Sequence, residues 1–375
     1  MSALSELKRF LLFLPEMLIG GPAYARHLFL TRSSTTLNEQ AVWCQLTQPE
    51  HPFIKWISDH YPPAPFRKLL LDASVVIQDR LAGVSKHYDI SNDFYKLFLD
   101  QKYLFYTCAD FINDTDTIED AQENKANYIL DLIDPQPGER ILDLGCGWGS
   151  MMKKVYGTTG DSENIIGYTI ATEQIRFIQE TYGFRAEFKD LVTAEYEPES
   201  FDKIYSIGFV EHIPINQLLP VARKLAKAVK PTGRIVHHFF CQLSDAPPAR
   251  LLGLGIQMFP GAELTSLRHH LKVFDQAGFN IVHQSIHNYR PTLWAWYERL
   301  TQHREAAIRL VGVQTYNRYL CYLADAWRLF DDRDLVLTRF VLQRQDAPVK
   351  LGATVNFKAG QSVSQTPEKV ASWMA

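Results

Sequence analysis

Arg140-Ile141-Leu142-Asp143-Leu144-Gly145-Cys146-Gly147-Trp148-Gly149-Ser150 reads as a short buried strand running into a glycine-rich turn, with a helix opening over Met151–Val155. Glycines at 145, 147 and 149 let the backbone turn sharply and approach a ligand that a Cβ would obstruct. Dinucleotide, S-adenosylmethionine (SAM) and phosphate sites all use such a turn, so the surrounding chain has to choose among them.

Working outward, strand-like and helical stretches alternate. Asn164–Ile170, Arg185–Asp190, Asp202–Ile207 and Arg234–Phe240 read as strands. Thr172–Tyr182, stopped by Gly183, and Asn216–Val229, ended by Pro231 and Gly233, read as helices. After an irregular insert, Cys241–Glu263, come a helix Leu264–Ala277, a strand Asn280–Ile286, helices Pro291–Val311 and Tyr316–Phe330, and a strand Leu335–Gln343. Upstream, Thr117–Ile133 carries a Thr117/Asp120 helix-start signal and an apolar stripe. Alternation with short connections specifies a parallel sheet flanked by helices, so the class is α/β, doubly wound. Residues 86–345 form the expected main domain; 1–85 read as a mostly helical, proline-broken region, and 346–375 as a polar, flexible tail.

Composition narrows the function. Hydrophobic residues make up 46% of the 375, enough for a substantial core. The net charge of −3 provides no global basic field for nucleic acid. Cys44, Cys108, Cys146, Cys241 and Cys321 are odd in number, widely spaced and without a CxxC pair. That argues against a structural zinc or a disulfide framework and fits a reducing, cytoplasmic compartment. Near the N-terminus, Lys8 and Arg9 precede the apolar Phe10–Leu14, but Pro15, Glu16 and Glu6 spoil a signal peptide. The stretch reads instead as an amphipathic helix that packs on the main domain or touches a membrane surface.

The ligand on the turn follows from the strand ends, where sheets of this class bind. A dinucleotide site wants an acidic residue about 20 residues on, for the ribose. Here that strand end is Gly167-Tyr168-Thr169-Ile170-Ala171-Thr172-Glu173-Gln174, neutral until Glu173. The third strand ends in Asp190, placed to accept from an exocyclic amine. Asp143, just before the glycines, would repel a pyrophosphate but attract the amino-bearing end of SAM. SAM is favoured over a nicotinamide dinucleotide.

The ordered set HYDISNDFY (87–95), YTCADF (106–111), LDLGCGWGS (142–150), GYTIATEQ (167–174), FDKIYSIGFVEHI (201–213), FPGAEL (259–264) and NYRPTLWAWYERL (288–300) resembles the cyclopropane-fatty-acyl-phospholipid synthase family. That family includes mycolic acid cyclopropane synthases and coclaurine-type N-methyltransferases. The resemblance covers about residues 85–345. It implies a Rossmann-like class I SAM-dependent methyltransferase, with a seven-stranded, mostly parallel sheet, a helical N-terminal region and a helical insert.

The resemblance also implies a site. Tyr106, Thr107, Asp143, Gly145, Gly147, Thr169, Ile170, Gln174 and Asp190 match the family's SAM-binding positions. Cys108, Glu211, His238 and Tyr289 match a set that holds a bicarbonate ion in cyclopropane synthases, and Glu211-His212 matches a Glu-His pair thought to take an amine's proton in the N-methyltransferases. Each has a plainer reading: Cys108 as core filler, Glu211 as a cap, Tyr289 as packing, and His237, on the strand face opposite His238, as structural. The implied activity is methyl(ene) transfer to the double bond of an unsaturated phospholipid acyl chain, with a small-molecule amine as the alternative acceptor. Peripheral contact with the inner face of a membrane and a homodimer belong to the same expectation.

Overall fold

The structure is a computed structural model that describes residues 30, 33–49, 92–245, 258 and 264–347. The expectations for most of 1–85 and for the 85/86 boundary lie outside the described residues, as do 87–91 of the HYDISNDFY motif, most of the 241–263 insert with its FPGAEL motif, and nearly all of the 346–375 tail.

In chain order the elements are α1 (Glu39–Thr47), α2 (Asn92–Lys96), α3 (Ile118–Ile133), β1 (Ile141–Leu144), α4 (Ser150–Thr159), β2 (Ile165–Thr169), α5 (Thr172–Tyr182), β3 (Arg185–Phe188) and β4 (Phe201–Ile207). A 3-10 turn, Val210–His212, is followed by α6 (Ile215–Ala228), β5 (Val229–Gln242), α7 (Leu267–Gln276), β6 (Phe279–His287), α8 (Arg290–Gln302), α9 (Arg304–Asp331) and β7 (Leu335–Arg344). The chain divides into two compact units. One comprises Met1–Phe98, Ala246–Glu263 and Leu293–Asp334; the other comprises Leu99–Asp245, Leu264–Thr292 and Leu335–Ala375.

The second unit holds the sheet, in the order β3-β2-β1-β4-β5-β7-β6. Strands β1 to β5 pair in parallel, and β7 runs antiparallel between β5 and β6. All four residues of β1 and all five of β2 are buried, the near-continuous apolar run that a sheet covered on both faces requires. The helix before β1 starts as its signal promised: Thr117 Oγ1 accepts from Asp120 N, and Asp120 Oδ2 accepts from Thr117 N. Its buried stripe runs Ile118, Ala121, Gln122, Lys125, Ala126, Ile129.

Two boundaries differ from the sequence reading. The Pro231/Gly233 turn expected before β5 is absorbed into the strand, which begins at Val229 opposite Phe201, with an irregularity between Phe201 and Lys203. Gly233 permits this, because a Cβ there would lie 2.6 Å from the Asp202 carbonyl. The expected gap between Val311 and Tyr316 is one non-helical residue, Gly312 at φ 78°, and a separate break falls at His303.

In the first unit, Asn317 on α9 ties the segment before α1 by donating to the Ser33 and Thr35 carbonyls and accepting from Leu37 N. Tyr95 of α2 shares a hydroxyl hydrogen bond of 2.9 Å with Tyr319.

Candidate active site

The glycine turn is a cradle by conformation. Gly145, Gly147 and Gly149 all have positive φ, 79°, 53° and 78°. Gly145 N and Cys146 N both donate to Tyr168 O, fastening the turn to the end of β2. Gly149 opens α4 where a side chain would meet Ile178 Cγ1 at 2.9 Å. At the β2 end, Thr169 Oγ1 donates to Gln174 Oε1 at 2.7 Å and accepts from Ala171 N. This pairing keeps the strand end neutral, leaves the Gln174 amide NH2 free to donate, and brings half-buried Ile170 into the same bend. Asp190, just past β3, accepts from Val192 N through Oδ1 at 3.0 Å.

Asp143 is buried in β1, directly opposite Tyr205 of β4. Burial raises its carboxyl to about 7. A cation arriving at the turn would repay that desolvation. The positive-φ glycines, the neutral Thr169/Gln174 end and this buried carboxyl fit the amino acid part of SAM better than a pyrophosphate.

Thr107, Cys108 and Glu211 come from two separate segments. Gly208, with φ 72°, lies between them: a Cβ there would sit 2.7 Å from Thr107 Cγ2 and 3.8 Å from Glu211 Oε1. Gly208 N in turn donates to the His238 carbonyl at 2.8 Å. Cys108 is fully buried, and its Sγ donates to Ala109 O and, at 3.7 Å, to Asn288 O, next to buried Tyr289. Burial and the nearby Asp110 push the thiol far above its ordinary value, so it is a neutral donor. Tyr106 is half-buried before Thr107, and half-buried His212 ends the 3-10 turn.

Glu211 Oε2 and His238 Nε2 are among the buried polar atoms that have no hydrogen-bond partner among the described residues. Burial raises Glu211 to about 8, so it is mostly protonated at neutral pH. Burial first, then repulsion from Arg339 and Lys125, keeps His238 neutral. His237 points to the other face, where its Nδ1 meets Ser206 Oγ at 2.8 Å and its ring stacks on Phe274.

Several residues here were not singled out from sequence. Arg339 of β7 is completely buried opposite His238; its Nε donates to His238 Nδ1 at 2.9 Å, and its two terminal nitrogens grip Asp110 at 2.7 and 2.8 Å. Burial works against the Asp110 charge, but Arg339 and His287 outweigh it and hold the carboxyl well below its ordinary range. Lys125, buried on α3, donates to Thr107 Oγ1 at 3.0 Å and lies 3.4 Å over the Phe105 ring. Burial lowers it to about 7, against the attraction of Asp100. Gln122 donates to the Thr107 carbonyl at 2.9 Å. A lysine within the apolar stripe of an amphipathic helix was the available signal for Lys125. Asp110, inside YTCADF, had none that set it apart.

Comparison with known proteins agrees with this fold. The family model for mycolic acid cyclopropane synthetase matches residues 77–340. Cyclopropane mycolic acid synthase 2 of Mycobacterium bovis is 31% identical over 287 residues, covering 69% of this chain and 93% of that protein. Among solved structures, mycolic acid cyclopropane synthase CmaA1 complexed with SAH and CTAB superposes with a TM-score of 0.64 at 25% identity, over 71% of this chain and 99% of that one. Coclaurine N-methyltransferase bound to N-methylheliamine and SAH also reaches 0.64, over 87% of this chain and all of its own, but at 15% identity the likeness is one of fold. With its glycine cradle, seven-stranded sheet and family match over 77–340, the chain belongs to the mycolic acid cyclopropane synthetase family of SAM-dependent methyltransferases.

Proposed function

We propose that this protein transfers a methyl(ene) group from SAM to the double bond of an unsaturated fatty acyl chain, with membrane phospholipid as the carrier. The observation that carries the reading is the buried pair Glu211 Oε2 and His238 Nε2, polar atoms without partners among the described residues, with Glu211 next to the Thr107–Cys108 segment. Moving a methyl cation from the sulfonium to an alkene carbon leaves S-adenosylhomocysteine and a carbocation. Loss of a proton from the new methyl then closes a three-membered ring. A water-free site protects the cation, and a proton acceptor completes the step.

Gly145, Gly147, Thr169, Ile170, Gln174, Asp190, Asp143, Tyr106 and Thr107 would hold SAM, which supplies the electrophilic methyl. Bicarbonate fits the second part of the site, because the protonated Glu211 carboxyl and the His238 imidazole can each donate to an oxyanion, with Cys108 and Tyr289 alongside. Such an ion would supply the proton acceptor. His212 stands in this reading as the neighbour of Glu211 that an amine substrate would use. No helix among the described residues is long and apolar enough to cross a membrane. We read the protein as meeting its lipid from a cytoplasmic membrane face, a setting supported by five unpaired cysteines.

Incubation with methyl-labelled SAM and vesicles of unsaturated phospholipid tests the proposal. Label is expected in the acyl chains and not in saturated control lipid. Label appearing only in a panel of amines, with the lipid untouched, would replace it with the N-methyltransferase reading.

A further inference from the structure

We propose that Arg339 is a positioning residue of this site: braced by Asp110, it commits the proton of His238 to Nε2 and so makes that histidine a hydrogen-bond donor toward the reacting ligands. The inference rests on the function proposed above and deepens it.

The argument is one of donors and acceptors. A guanidinium keeps its proton in a protein, so Arg339 Nε can only donate, and it donates to His238 Nδ1 at 2.9 Å. The Nδ1 lone pair is thereby occupied. A neutral imidazole has one N–H, which must then be on Nε2. That nitrogen is buried and has no acceptor among the described residues. A buried donor left open costs free energy comparable to a lost hydrogen bond, so its acceptor is to be sought in a ligand.

Arg339 itself cannot turn away. Its side chain is fully buried, and its other two nitrogens hold both oxygens of Asp110 in a fork. Asp110 is fixed in turn by its place two residues after Cys108 and by His287 Nδ1 at 3.3 Å from Oδ1, with His287 Nε2 on Ser285 Oγ at 2.8 Å. Sheet register completes the device: Arg339 of β7 is the direct antiparallel partner of His238 of β5, which puts the two side chains on one face.

The test uses full-length protein labelled with nitrogen-15 histidine, with the His238 signals assigned by their absence in His238→Gln. Long-range proton–nitrogen correlation should show a protonated Nε2 and a lone-pair Nδ1 for His238. An Nδ1–H tautomer in the wild type would overturn the proposal. The double variant Asp110→Asn/Arg339→Gln removes both buried charges together, so neither is left unpaired. It should show mixed His238 tautomers and a kcat on unsaturated phospholipid lower by about a hundredfold, with the KM for SAM unchanged. Retention of both the Nε2–H tautomer and full kcat would refute the role. A wild type with the Nε2–H tautomer that labels no lipid would sink the acceptor assignment while leaving the role of Arg339 supported.

Discussion

Glu211 is protonated in the fold and ionised in the unfolded chain over a wide pH window, and Glu211→Gln removes that difference. Burial lifts the carboxyl from its ordinary 4.5 to about 8, a span of about 3.5 pH units. In this window the native state binds the proton and the unfolded state does not, so the contribution to stability is complete below pH 4.5 and drains away as pH rises toward 8. At ~1.36 kcal/mol per pH unit the full span has a ceiling of about 5 kcal/mol, of which about 3 kcal/mol is lost by neutral pH. Glutamine cannot titrate. Urea unfolding of both proteins across this range should therefore show the variant gaining on the wild type by about 3 kcal/mol between acid and neutral pH, then levelling off above pH 8. Parallel stability profiles would refute the buried, protonated carboxyl. The same variant should lose turnover while binding SAM nearly as before; full activity would remove Glu211 from the chemistry.

Two further outcomes concern the cradle. Gly149→Ala must place a Cβ at φ 78°, costing roughly 1–2 kcal/mol, and also against Ile178 Cγ1 at 2.9 Å, adding ~1–3 kcal/mol. Gly160→Ala, at φ 68° with nothing within 4 Å, should show only the first cost; equal losses in denaturant titrations would contradict the packing argument. Because burial sets Asp143 at about 7, SAM affinity measured by calorimetry should strengthen as this carboxyl ionises between about pH 6 and pH 8, and Asp143→Asn should flatten the profile. A wild-type affinity indifferent to pH would break the link between Asp143 and the cationic end of the donor.

The parts of this protein legible in its sequence are those governed by local rules. The Thr117/Asp120 box, the stop at Gly183 and the glycine turn each depend on residues a few positions apart, and each appears where their chemistry puts it. The place of β7 between β5 and β6 depends instead on contacts that no local pattern encodes. The same divide runs through the site. Cys108, Glu211 and His238 stood out through their resemblance to a family pattern, whereas Arg339 lies about 100 residues from His238 and 229 from Asp110, and nothing local in Leu337-Thr338-Arg339-Phe340 ties it to either. Its complete burial shows only in the structure. Lys125 shows the opposite case: its position in an apolar stripe marked it as buried, but only the structure puts Thr107 within its reach.

The insertion of β7 between two earlier strands makes the site depend on a segment that is synthesised after the rest of the sheet. Until residues 335–344 emerge and fold, β6 and the Asp110 carboxylate lack the strand and the guanidinium that they pair with among the described residues. The SAM cradle, built from β1, β2 and their turns, needs none of that segment. A nascent chain can thus complete its methyl-donor half long before its acceptor half, since folding proceeds as segments become available. The antiparallel strand thus sets a condition on assembly: the pairing of Arg339 with Asp110 and His238 waits for β7.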